Sequence, residues 1–152
     1  MNPARRRAIA VLSLAGLPRA GLAGVAYPDV LSGTSIAFPR DHGSHPDFRT
    51  EWWYVTGWTT DASGVARGVQ VTFFRNRPGI AESSASAFAP RELLFAHAAI
   101  ADAGIGRLVH DQRAARAGFG LASASTSTTD VRLDDWSLVR EGERYRARVR
   151  AR

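Results

Sequence analysis

Hydrophobic and polar positions alternate along most of this chain, a pattern that predicts strands rather than helices. Thr50 to Thr60 is rich in Trp, Tyr, Val and Thr, the residue types that suit a pleated surface. Asp61-Ala62-Ser63-Gly64 reads as a turn and Val65 to Arg75 as a second strand, so the two form a β-hairpin. In the second strand Val69, Val71 and Phe73 share one face, and Gly68, Gln70, Thr72 and Phe74 the other. Glu92 to Ala101 is almost wholly apolar around His97. Its Ala content suits a helix, but the turn signal Asp102-Ala103-Gly104 before Arg107 to Gln112 favours another hairpin. Ser35 to Phe38 is a candidate short strand. Val131 to Arg140 reads as one strand, turned at Glu141-Gly142 into Arg144 to Arg152, which alternates strictly.

The breaks are as informative as the strands. Asp41 to Asp47 holds Gly43 and Pro46 and is expected to be a loop. Asn76 to Arg91, with Pro78, Gly79 and Pro90, is a loop long enough to suggest a lid or binding segment, with a disordered connection as an equal alternative. Ala114 to Ser123 has no clear period, and Ser123 to Thr129 reads as a low-complexity linker. The alternation at Arg144 to Arg152 runs on without a turn or cap, so a longer protein is expected, with an exposed edge here otherwise.

Residues 1–26 have the order of an export signal, with a short amphipathic or disordered N-terminus as the alternative. Arg5-Arg6-Arg7 is a basic start, Ala8 to Leu17 an apolar run, and Gly24 and Ala26 are small residues before Tyr27. The expected location is therefore exported, periplasmic or membrane-associated, with residues 27–152 as one domain. The apolar run falls short of the ~20 residues needed to span a bilayer.

Charge changes this picture only after it is located. All 20 basic residues are Arg, and the formal net charge is +6. The excess lies at the two ends: between Tyr27 and Val139 there are ten Arg against twelve Asp plus Glu. A nucleic-acid binder needs its basic surface on the folded body, so nucleic acid is not an expected partner. The five Arg of the final strand read best as the wet face of an antiparallel strand, with an anionic surface patch as the alternative. With no Cys, disulfides, thiolate metal sites and a Cys nucleophile are excluded.

Side chains able to do chemistry crowd into Asp41 to Trp58, DHGSHPDFRTEWWYVTGW. His42 and His45, with Asp41, Asp47 and Glu51, offer N and O metal ligands, but a Gly/Pro loop does not fix their convergence, and no metal site is expected. For acid chemistry, a carboxyl beside indole rings loses solvation and holds its proton to higher pH. Glu51, or Asp47 ahead of the strand, fits that description. Aromatic faces at Trp52, Trp53, Tyr54 and Trp58 would favour a cation formed by protonating an alkene. Alternation puts Trp52, Tyr54 and Trp58 on one face, and Glu51 and Trp53 on the other. A core-packing strand whose Glu51 pairs with Arg49 or Arg75 explains the same spacing. His97, among Leu93 and Phe95, reads as a hydrogen-bonded core histidine or as a site residue.

Phe38 to Trp58, FPRDHGSHPDFRTEWWYVTGW, resembles the signature of the family that contains the AttH-like proteins and the carotenoid 1,2-hydratases. GVQVTFFR (68–75), LLFAHAAIAD (93–102), RAGFGLA (116–122) and VRLDDWSL (131–138) are similar in the same order. The resemblance implies an all-β, antiparallel lipocalin-like barrel or strongly curved sheet, the N-terminal half of a two-domain family, with a C-terminal lipocalin-like domain expected to pack on it. It implies hydration of a terminal C=C of an acyclic carotenoid, without a cofactor, or a non-catalytic carrier of isoprenoid or lipid serving a membrane transport system. In the enzymatic case Asp47 or Glu51 would protonate the alkene, Trp53 or Tyr54 would stabilise the cation, and His42, His45 or His97 would orient water. In either case Trp52, Trp53, Tyr54, Trp58 and His97 would line the apolar ligand.

Overall fold

The computed structural model describes residues 24–151. The expected leader, residues 1–26, lies outside the described residues except for 24–26. Among the described residues, eight strands form two antiparallel sheets. The first contains β1 (Thr50–Thr60), β2 (Ala66–Asn76), β3 (Leu93–Asp102) and β4 (Arg107–Arg116), in that order. The second contains β5 (Ala122–Ala124), β6 (Asp130–Leu133), β7 (Trp136–Glu141) and β8 (Arg144–Arg148). The all-β expectation holds in its open form: the sheets face one another and do not close into a barrel.

The core is the seam between their inner faces. Phe73, Leu94 and Ala96 of the first sheet meet Ala122, Val131, Leu133, Trp136 and Leu138 of the second. Burying each of the larger side chains contributes about 1.5–3 kcal/mol. Trp136 also satisfies its indole N–H, which donates to the Arg150 carbonyl at 2.9 Å, and Arg113 lies 5.0 Å over its ring. Pairing aligns Trp53, Phe73, Ala96 and Arg113 across the first sheet, so the inward side of β1 carries Trp53 and Glu51.

Both sheet-one hairpins appear where the alternation puts them, and β4 runs on to Arg116. Four local expectations fail. Ser35 to Phe38 is not a strand. Val131 to Arg140 is two strands, because Asp134 takes a left-handed conformation (φ 56°) and reverses the chain between Leu133 and Trp136. Asp tolerates that conformation through its short polar side chain. The last strand ends at Arg148, and its Tyr145 and Ala147 are exposed, so β8 is not half-buried. The Ser/Thr stretch is no free linker: Thr129 is buried, and residues 125–129 dock the Asp41–Asp47 loop.

An ion-paired clasp closes the far end of the first sheet. Arg67 on β2 binds Asp61 in the β1–β2 turn through Nη1 and Asp102 at the end of β3 through Nε at 2.6 Å. Asp61 is held well below the usual carboxylate range, first by the Ser63 hydroxyl, then by Arg67 and the Val65 N–H. Asp102 is lowered by Arg67 and then by the Gly104 N–H. A carboxyl whose folded pKa is depressed contributes stability above its unfolded value, near 3.9, and loses it as pH falls towards the folded value. Urea midpoints should therefore be level above about pH 5 and decline below about pH 4, and Asp61→Asn should flatten that decline. An unchanged acid slope in the variant would remove the clasp from the account.

Candidate functional site

The Asp41–Asp47 loop is fixed at both ends by its own sequence. A 3-10 turn, Arg40–His42, leads into Gly43, whose backbone lies against Thr126 so closely that a Cβ would sit 2.0 Å from the Thr126 carbonyl oxygen. The Ser44 N–H donates to the Ser125 carbonyl at 2.8 Å, and the Thr129 hydroxyl donates to the His42 carbonyl at 2.7 Å. The loop is thereby pinned to the second sheet while its other end enters β1 in the first.

Arg75 holds that second end. Its side chain is buried, with 1% of its surface exposed. Nε donates to Glu51 at 2.6 Å, Nη1 approaches Glu92 at 3.2 Å, and Nη2 donates to the carbonyls of His45 and Phe48 at 2.7 and 2.8 Å. The guanidinium fork thus orders the loop and Glu51 together. Of the two Arg partners expected for Glu51, Arg75 is the one used.

Glu51 in turn accepts from the His45 N–H at 3.0 and 2.9 Å, and its Oε2 lies 3.2 Å from His45 Nδ1. On the far side of the ring, Nε2 is 3.4 Å from Asp41 Oδ1. His45 therefore sits between two carboxylates. Asp41 is held well below the usual carboxylate range, first by the Arg40 guanidinium and then by the Ala37 N–H. Of this chain, Asp41, His45 and Glu51 line a pocket of about 450 Å³, to which Ile36, Phe38 and Phe48 add apolar surface, while Arg75 lies buried behind them. Among the described residues no group of three His, Cys, Asp or Glu is arranged to hold a metal ion.

The other candidates are distributed elsewhere. His42 stacks on Phe38 at 4.3 Å, and its Nδ1 lies 3.4 Å from the Tyr145 hydroxyl. Asp47 is exposed and lines a different pocket with Arg77 and Glu82. Trp53 packs against the core. Trp52, Tyr54, Trp58 and His97 lie on the outer face of the first sheet, across the sheet from Glu51, so the acid group and these three rings of β1 do not share one cavity. His97 is exposed and touches Phe74 edge-on at 5.5 Å, so it is not a hydrogen-bonded core residue.

That outer face is apolar to a degree the β1 sequence alone did not reveal. Strand pairing sets Trp52, Phe74 and Phe95 side by side, and Trp58 in line with Gly68, Ala101 and Leu108. Trp52 is 58% exposed and Trp58 84%. Phe74, Phe95 and Leu108 are not among the sequence candidates, and Asp41 is among them only as a possible metal ligand. The alternation of β2 and β3 carried the signal for the two Phe once the hairpin register was known.

Two facing antiparallel sheets, with an acid–base cluster at the rim and an aromatic outer face, make this a lipocalin-like β domain without barrel closure. The chain belongs to the AttH-like family, whose model matches residues 29–152. It is similar to a crystal structure from Nitrosomonas europaea that carries the provisional name AttH, with 48% sequence identity and a TM-score of 0.71. The match covers 82% of this chain and 37% of that one, so the chain spans well under half the length of the relative. No protein of curated function matches it.

Proposed function

We propose that this domain binds a long apolar molecule, an isoprenoid or lipid, along the outer face of β1–β4. One observation carries the proposal: aromatic side chains stand in register across three strands and remain open to water. Monomeric proteins seldom leave such a patch uncovered unless it binds something. From Trp52 to Trp58 the face runs about 20 Å at roughly 3.3 Å per residue, which suits an extended chain better than a compact ligand. The domain then serves as an exported carrier of hydrophobic molecules associated with a membrane transport system. Adding an apolar polyene such as retinol should quench Trp emission without forming product, and Trp52→Ala with Trp58→Ala should weaken binding by about tenfold or more. Emission unchanged by any polyene would overturn the proposal.

A second reading, hydration of a terminal C=C, is favoured by the pocket at the loop. There an apolar wall of Ile36, Phe38 and Phe48 faces the Asp41–His45–Glu51 chain. The His45 ring reaches both carboxylates, with Nδ1 3.2 Å from Glu51 and Nε2 3.4 Å from Asp41, so it is the group placed to pass a proton along the chain. If this reading holds, His45→Ala should abolish turnover of an acyclic carotenoid while leaving polyene binding on the outer face intact. Turnover retained in the His45→Ala variant would rule this route out.

A further inference from the structure

A band of hydrogen-bonding side chains crosses the middle of the aromatic face. Pairing places Tyr54, Thr72, His97 and Gln112 in one row over all four strands. The next row brings Gln70 and His110 to the same side. The aromatic row of Trp52, Phe74 and Phe95 borders the band at one end, and Trp58 with Leu108 borders it at the other. Among the described residues, none hydrogen-bonds the side chain of Tyr54, His97, Gln112, Gln70 or His110. Within the described residues these groups are left to solvent, while the side chains on either side of them are apolar.

We infer that the ligand of this face carries a hydroxyl or carbonyl oxygen within its apolar body, and that His97 and Gln112, direct neighbours on β3 and β4, recognise that oxygen. The inference rests on the apolar-ligand reading above and narrows it from any long hydrocarbon to an oxygenated isoprenoid or lipid. The physical reason is desolvation. A pure hydrocarbon laid along the face would displace water from the band and leave its donors and acceptors unmet, which costs free energy for each buried group. An oxygen at that place replaces the water. The band offers both roles, since Tyr and Thr hydroxyls donate and accept, Gln offers an amide N–H and a carbonyl, and His one nitrogen of each kind. The flanking rings supply non-directional affinity, and the band sets where along the face the oxygen stops. His97 is held edge-on to Phe74, so its ring is oriented before a ligand arrives.

The test compares two molecules that differ by one hydroxyl. Retinol is bound to the full chain as a fluorescent reporter, then displaced by nonadecan-10-ol or by nonadecane, the same hydrocarbon without the mid-chain hydroxyl. The alcohol should displace retinol at about tenfold lower concentration than the alkane, the size of one hydrogen bond gained and not left unmet. His97→Leu with Gln112→Leu should erase that difference by improving the alkane and weakening the alcohol. Both side chains are exposed and, among the described residues, have no hydrogen-bond partner, so the pair should fold, and Thr72→Val, which keeps the shape and removes the hydroxyl, gives an independent variant. Equal displacement by the alcohol and the alkane would overturn the inference and leave the apolar-ligand reading standing. If retinol does not bind at all, both fall, and the face is instead one that further polypeptide covers.

Discussion

Replacing Arg75 with Met is expected to cost the domain about 3–5 kcal/mol, a large part of the 5–15 kcal/mol typical of a small domain. The size follows from what would be stranded. Glu51 and Glu92 would lose their buried partner, and the carbonyls of His45 and Phe48 would lose their donor. Met fills much of the same volume, so a cavity is a minor part of the loss. Arg75→Lys should recover only some of it, because an ammonium is a point charge and cannot reach Glu51 and two carbonyls in one plane. Equilibrium urea denaturation of the three proteins measures the effect. A loss for Met below about 1 kcal/mol, within the range of ordinary surface changes, would mean that the loop is held by other contacts.

This bears on how the candidate site is probed. Glu51 is both the nearest carboxylate to the pocket and the main partner of Arg75, so Glu51→Gln changes stability as well as any chemistry. Lost turnover in that variant says little unless folding is measured alongside it. His45 offers a cleaner probe: its backbone, not its ring, makes the contacts to Arg75 and two of those to Glu51.

Much of the first sheet was legible because each strand obeys a two-residue period and each turn has Asp or Gly at the reversal. The two-residue period assigns Glu51 and Trp53 to one face and Trp52, Tyr54 and Trp58 to the other. Period alone does not say which of those faces is covered, since both carry aromatic residues. The second sheet decided it by packing on Phe73 and Leu94. The Asp134 reversal was hidden because Asp-Asp is a weaker turn signal than Asn-Gly or Asp-Gly. The grouping of Asp41 with His45, and the separation of His42 and Asp47 from them, depended on contacts with residues 80 and 87 positions away, which no local pattern contains.

Gly43→Ala tests that long-range dependence directly. The added methyl would stand 2.0 Å from the Thr126 carbonyl oxygen and 2.3 Å from its carbon, and neither is the movable end of a side chain. Backbone must part from backbone, and the Ser44 to Ser125 and Thr129 to His42 hydrogen bonds would be stretched together. Overpacking of this kind costs typically 1–3 kcal/mol, and each strained hydrogen bond adds about 0.5–1.5, so a total of about 3 kcal/mol is expected. Gly57→Ala is the control. That glycine lies within β1 with nothing within 4 Å of its added Cβ, so alanine should be neutral or stabilising by up to about 1 kcal/mol. Because the loop carries Asp41 and His45, the Gly43 variant should also expose residues 40–48 to proteolysis and lose any activity that depends on the Asp41–His45–Glu51 chain. It should keep polyene binding on the outer face, which belongs to a sheet the loop does not cover. Loss of both properties together, at a temperature where the variant is still folded, would show that the loop and the aromatic face act as one site.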